Sequence, residues 1–207
     1  MASRRATAIE SFGTASRDAV GQFLPSCNDC SRQLNRMNTK LVSIQSLAGR
    51  AVTWWQGGEM ALAEAHHDHE VRWEDPGIPF LQFTDLVLRF EDGKPLRLCS
   101  QIEDGSGLHG LHLVELNEVP ELRTANEPLS IFRERPLPEL PLGEIEIVQL
   151  RHEGPSAIVE VRLLLSGGEL RLIAAEVHEE HDGSLTIVEP DESILVQVNG
   201  ARPAGAA

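Results

Sequence analysis

Three pairs of histidines stand three residues apart: His66 and His69 in AHHDHE, His109 and His112 in LHGLH, and His178 and His181 in VHEEHD. On a helix that spacing puts both rings on one face, so His66, His69 and the neighbouring Glu70 could ligate one metal ion, with His67 as a further donor. On a strand it puts them on opposite faces, which argues against the other two pairs as chelates. Cys27 and Cys30 form a CxxC, a spacing shared by zinc sites and redox pairs. No second CxxC or HxxxH stands at a matching distance, and the polar surroundings lack the strand and helix start of a redox motif. A composite of the two cysteines with histidines of 66–69 requires a contact that spacing does not encode. The competing reading of all these residues is a solvated polar stretch.

Nucleophilic chemistry finds less support. Ser106 and Ser184 both lie in DGS turns, a recurrence that fits a preserved hairpin better than a catalytic serine. There is no GxSxG, no phosphate-cradling glycine loop and no HExxH. Carboxylates are abundant, but none is singled out as an acid and base couple. The expectation is a protein that is not an enzyme and needs no cofactor.

The elements that would position these groups read as β structure. Residues 86–115, LVLRFEDGKPLRLCSQIEDGSGLHGLHLVE, reappear in degraded form as 161–189, VRLLLSGGELRLIAAEVHEEHDGSLTIVE. Leu86, Leu88 and Phe90 align with Val161, Leu163 and Leu165; Gly93 aligns with Gly168; Leu96 and Leu98 align with Leu170 and Leu172. Farther on, Asp104–Ser106 matches Asp182–Ser184. The pattern predicts a mainly β fold of two duplicated antiparallel meander units, as a sandwich or half-open barrel, behind a short helical or disordered N-terminal extension. The first unit spans 37–115, a Pro-rich connection 116–140, the second unit 141–200 and a tail 201–207. LVSI and AVTWW read as a first strand pair. LRLIAA and AIVEVRLLL, apolar on both faces through Leu164 and Ile173, read as the centre of the core.

The first unit differs from the second by an insertion, 57–85, that gathers the histidine cluster, Trp73, Phe80 and Phe83, and many acids. Propensity favours a helix over Glu59–Glu70, and Asp75, Pro76, Gly77 and Pro79 then force a loop. Most of the aromatics there are expected to fill the core. Cys99, ending an alternating strand, reads as a small buried hydrophobe.

Charge is uneven. Residues 1–40 carry 6 Lys and Arg against 3 Asp and Glu, while 41–207 carry 12 against 29, within a net charge of −14. So acidic a body repels phosphate backbones and attracts a basic protein or a cation. No apolar run approaches the roughly 20 residues that a bilayer helix needs. Three cysteines give no disulfide framework and fit a reducing, cytoplasmic setting. The strand and turn pattern LVLRFEDGKPLRL, with the later DGSLTIVE, resembles the small acidic β-rich immunity proteins of bacterial polymorphic toxin systems. That resemblance covers 47–115 and 141–198 and implies a protein that caps a basic toxin by electrostatic complementarity. The expected contact surface lies in the insertion, with Glu64, Asp68, Glu70, Glu74 and Asp75 for charge and Trp73 as aromatic contact. Neither nucleic acid nor membrane is an expected partner, and a homodimer stays open. The alternative is a metal-binding protein or metal-dependent enzyme using His66 and His69.

Overall fold

Alternation decides the architecture. In AIVEVRLLL the residues Ala157, Val159, Val161, Leu163 and Leu165 are all buried, while Arg162 and Leu164 between them are exposed, the period of two of a strand with one face on a core. The computed structural model describes residues 40–64, 70–103, 107–122 and 130–203. Their strands are β1 (Leu41–Val42), β2 (Ala51–Met60), β3 (Leu81–Phe90), β4 (Leu96–Ile102), β5 (His109–Glu115), β6 (Phe132–Pro136), β7 (Gly143–Glu153), β8 (Ala157–Leu165), β9 (Gly168–Ala174), β10 (Glu176–Glu179), β11 (Leu185–Val188) and β12 (Ile194–Val198).

Six of them close a ring. The neighbours run β3, β12, β9, β8, β7, β2, and β2 pairs back onto β3, so the sheet is a closed antiparallel barrel. The mainly β reading holds, and closure replaces the half-open form. The long β3 makes this work by splitting one edge: Leu81–Phe83 pair with β12 and Asp85–Leu88 with β4. Strands β4, β5 and β1 therefore leave the ring as a flap, and β6 pairs with the far half of β2.

Three irregularities keep the interior apolar. Val52 and Trp55, Phe83 and Leu86, and Ile145 and Val148 are each three residues apart, a spacing that would turn one member of each pair outward on a regular strand. Register shifts between Val52 and Trp54, between Gly58 and Glu59, and between Ile145 and Ile147 each absorb one residue. Thr53, Thr84 and Glu146 are the extra residues, and the core then takes both members of every pair. Gly57 is required at this crowded point, since a Cβ there would lie 2.8 Å from Phe83 Cδ1 and 3.1 Å from the Asp85 carbonyl.

The two aligned hairpins share a register. In β3–β4, Leu86 faces Leu98 and Leu88 faces Leu96; in β8–β9, Val161 faces Leu172 and Leu163 faces Leu170. The third limbs diverge: β5 pairs with β4, whereas β11 pairs with β10 in a separate two-stranded hairpin and β9 turns to β12.

Other local expectations change. Leu41 and Val42 pair with β5, not with the AVTWW strand, because Ile44–Leu47 turns as a 3-10 helix between them and buries Ile44 and Leu47. Glu59 and Met60 extend β2, and the described residues up to Glu64 and from Glu70 contain no helix; the excursion out of the barrel is 61–80. Tertiary pairing overrides helix propensity here. Trp55 and Phe83 fill the barrel interior, and Phe80 and Cys99 are also buried. Ile173 is buried, but Leu164 is 38% exposed, so the β8–β9 pair is not covered on both faces along its length.

Candidate functional site

Outside the barrel a second core joins two segments far apart in sequence. Leu62, Ile78 and Phe80 of the excursion pack with Val177 of β10 on Ile173, Ala175 and Leu195, with Leu185 of β11 alongside. Gln82, 1% exposed, bridges them: its Nε2 donates to the Ala61 carbonyl at 3.3 Å, and its Oε1 accepts the Val177 N–H at 2.6 Å. Arg72 reaches from the excursion to the hairpin, donating to the Gly183 carbonyl at 3.3 Å and lying 3.7 Å from Glu179. Replacing Gln82 by leucine is expected to cost about 1–3 kcal/mol, because the buried Val177 N–H loses its acceptor. Urea unfolding reads that loss.

This docking brings Asp75 of the excursion and Glu179 of the hairpin to the same arginine, Arg72, and both segments carry further acids. Glu64, Glu70 and Glu74 of the excursion and Glu179, Glu180 and Asp182 of the hairpin are exposed, with Asp75 half-buried. Asp75 is committed locally, accepting the Gly77 N–H at 2.7 Å and pairing with Arg72 at 3.4 Å. Asp182 accepts both the N–H and the hydroxyl of Ser184, and those hydrogen bonds hold its carboxyl below the usual range. Ser184 is thus a turn residue.

Trp73 is not a free aromatic face. The Arg133 guanidinium lies over its ring, 4.1 Å from the centroid, and Arg202 donates to its carbonyl at 2.8 Å. Arg133 and Arg135 both bind the buried Glu59, and Arg135 also pairs with Glu139 at 2.6 Å. Burial alone would raise the Glu59 carboxyl, but the two arginine hydrogen bonds outweigh it and hold the group below its ordinary range. This network clamps the excursion onto β6.

A different cluster lies where β10 meets the turn before β12. Glu176 and His178, two apart on a strand, share a face, and with Asp191 they offer three ligand atoms all within 4.8 Å of one another. His178 Nε2 is 3.1 Å from Asp191 Oδ2. Burial raises the Glu176 carboxyl, and Asp191 and Glu192 add to this, while the Ser193 hydroxyl opposes it. These are the residues among those described that could hold a metal ion.

Of the residues singled out in the sequence, Glu64, Glu70, Trp73, Glu74 and Asp75 fall on the excursion, whereas Asp68, His66, His67, His69, Cys27, Cys30 and Ser106 lie outside the described residues. His109 and His112 take successive register positions three apart on β5 and so face opposite sides of the sheet; His112 sits 3.3 Å from Glu103. The hairpin acids escaped the sequence reading because their repeat match marked them as scaffold. No protein-family model, curated protein or solved structure matches the chain.

Proposed function

We propose that this protein is a non-catalytic acidic binding protein that neutralises a basic protein partner, in the manner of the bacterial immunity proteins its strand pattern resembles. One observation supports the reading: Asp75 of the excursion and Glu179 of the β10–β11 hairpin, more than 100 residues apart in sequence, meet at one arginine, Arg72, on a docked pair of segments that carries further exposed carboxylates. Such a field steers a cationic partner and disfavours anionic ones. The buried core beneath it and the Gln82 bridge hold the charges in a fixed arrangement, which lowers the ordering cost of association.

The test pairs a low-salt pull-down with charge reversal. A basic partner, sought first in the product of the neighbouring reading frame, is expected to bind at about 50 mM salt and to weaken as screening increases. The double variants Glu70→Lys/Glu74→Lys and Glu179→Lys/Glu180→Lys are each expected to weaken the complex at least tenfold, mainly through slower association; Glu179 also faces Arg72, so circular dichroism checks that the second variant keeps the fold. No basic partner at low salt, or a complex indifferent to both reversals, overturns the proposal.

A further inference from the structure

We infer that Glu176, His178 and Asp191 form a binding site for one divalent transition-metal ion, independent of the histidines at 66–69 and of partner binding. Donor chemistry comes first. Two carboxylates and one imidazole nitrogen form a mixed O,O,N set suited to zinc or manganese, and three protein ligands leave room for water or an exogenous group. A tetrahedral ion with ligands at about 2.0–2.1 Å needs them roughly 3.3 Å apart. His178 Nε2 and Asp191 Oδ2 already stand at 3.1 Å, and the whole set lies within 4.8 Å, a contraction that side-chain rotation can supply.

Construction of the site is the second observation. Each carboxylate is oriented by a protein donor through one oxygen: the Ser193 hydroxyl holds Glu176 Oε2 at 2.9 Å, and the Glu192 N–H holds Asp191 Oδ1 at 2.7 Å. The backbone that carries Asp191 is pinned in turn, its carbonyl by the Ser100 hydroxyl at 2.7 Å and its N–H by the Ala174 carbonyl at 3.3 Å. Such outer partners are what fix ligand orientation in metal sites.

Missing charge is the third. Four other carboxylates withdrawn from water have an arginine: Glu59 has Arg133 and Arg135, Glu160 has Arg151, Arg162 and Arg171, Glu139 has Arg135, and Asp85 has Arg97 at 3.0 Å, while Glu103 has His112 as Asp191 has His178. Glu176 and Asp191 stand beside each other and near Glu192, and among the described residues no lysine or arginine forms a salt bridge with Glu176 or Asp191. A bound cation is the partner that the rest of the molecule's pattern calls for.

The experiment titrates zinc into the chelator-treated full chain carrying Cys27→Ser, Cys30→Ser, His66→Ala, His67→Ala and His69→Ala, which removes the other candidate cysteine and histidine donors named from the sequence. Calorimetry is expected to show one equivalent bound, with a zinc-dependent rise in melting temperature. Adding His178→Ala or Asp191→Asn is expected to weaken binding at least tenfold and abolish that rise. His178 is exposed, so its variant keeps the fold, which circular dichroism checks. Absence of binding at submillimolar zinc, or unchanged affinity in both variants, overturns the assignment.

Discussion

Replacing Trp55 by alanine is expected to destabilise the barrel by about 3–5 kcal/mol. The ring is 1% exposed inside the main core, opposite Leu88 on β3, and it does two further jobs. Its Nε1–H donates to the Pro141 carbonyl at 2.9 Å, and its own carbonyl accepts the Leu137 N–H at 3.0 Å. Trp55 therefore fastens the proline-rich crossing between the two halves to the barrel wall. Leu137 and Leu140 of that crossing are buried in the same core, so the cavity left by alanine would open beneath them. Phenylalanine at 55 separates the two contributions. It keeps most of the packing and loses the indole hydrogen bond, leaving the Pro141 carbonyl without that donor, and is expected to cost about 1–2 kcal/mol. Equilibrium urea unfolding of the three proteins tests this order; equal losses for alanine and phenylalanine would show that packing is not what Trp55 supplies.

That crossing illustrates how much of the fold is readable in advance. Five prolines between 116 and 142 mark a connection, and they do not reveal that Phe132–Pro136 is a strand on the far edge of β2, where Pro136 sits as the ladder ends. Strand identity was legible wherever apolar residues alternate, as in Val161, Leu163 and Leu165. Register was legible within the two hairpins because a short turn fixes it. Closure was not, since it depends on β3 dividing one edge between β12 and β4, a choice made by tertiary pairing rather than by any local pattern. The three-residue apolar spacings at Val52, Phe83 and Ile145 were the visible trace of the bulges.

The candidate site divides along the same line. Asp75 was visible as charge in an insertion, but Glu179 could be placed at the same arginine only by the second core of Ile78, Phe80, Val177 and Leu185. The histidine pairs drew attention to spacing three, the helical chelate. On a strand the productive spacing is two, and Glu176 with His178 has it, yet the third member, Asp191, reaches them only because β12 returns beside β9.

Neutralising Glu160 as glutamine is expected to remove a stabilising component that depends on pH in a defined way. The side chain is 6% exposed on the outer face of β8, with Arg162 Nε at 2.6 Å and Arg151 Nε and Arg171 Nη2 at 3.1 and 3.0 Å. The arginine hydrogen bonds, that of Arg171 above all, overcome the opposing effect of burial and bring its pKa from 4.5 to about 2. Because the folded value lies below the unfolded one, the contribution is fully present above about pH 4.5 and is lost as pH falls through about 2. At ~1.4 kcal/mol per pKa unit the shift bounds this at about 3.5 kcal/mol, and solvent around the half-exposed Arg151 and Arg162 reduces it to about 1–2 kcal/mol. Glu160→Gln should therefore be less stable than the unaltered protein by about that amount at pH 7, and the gap should narrow between pH 4.5 and 2. Taking the difference between the two proteins cancels the titration of the other carboxylates. A gap that stays constant down to pH 2.5 would mean that shape and hydrogen bonding at residue 160, rather than its charge, hold β7, β8 and β9 together on this face.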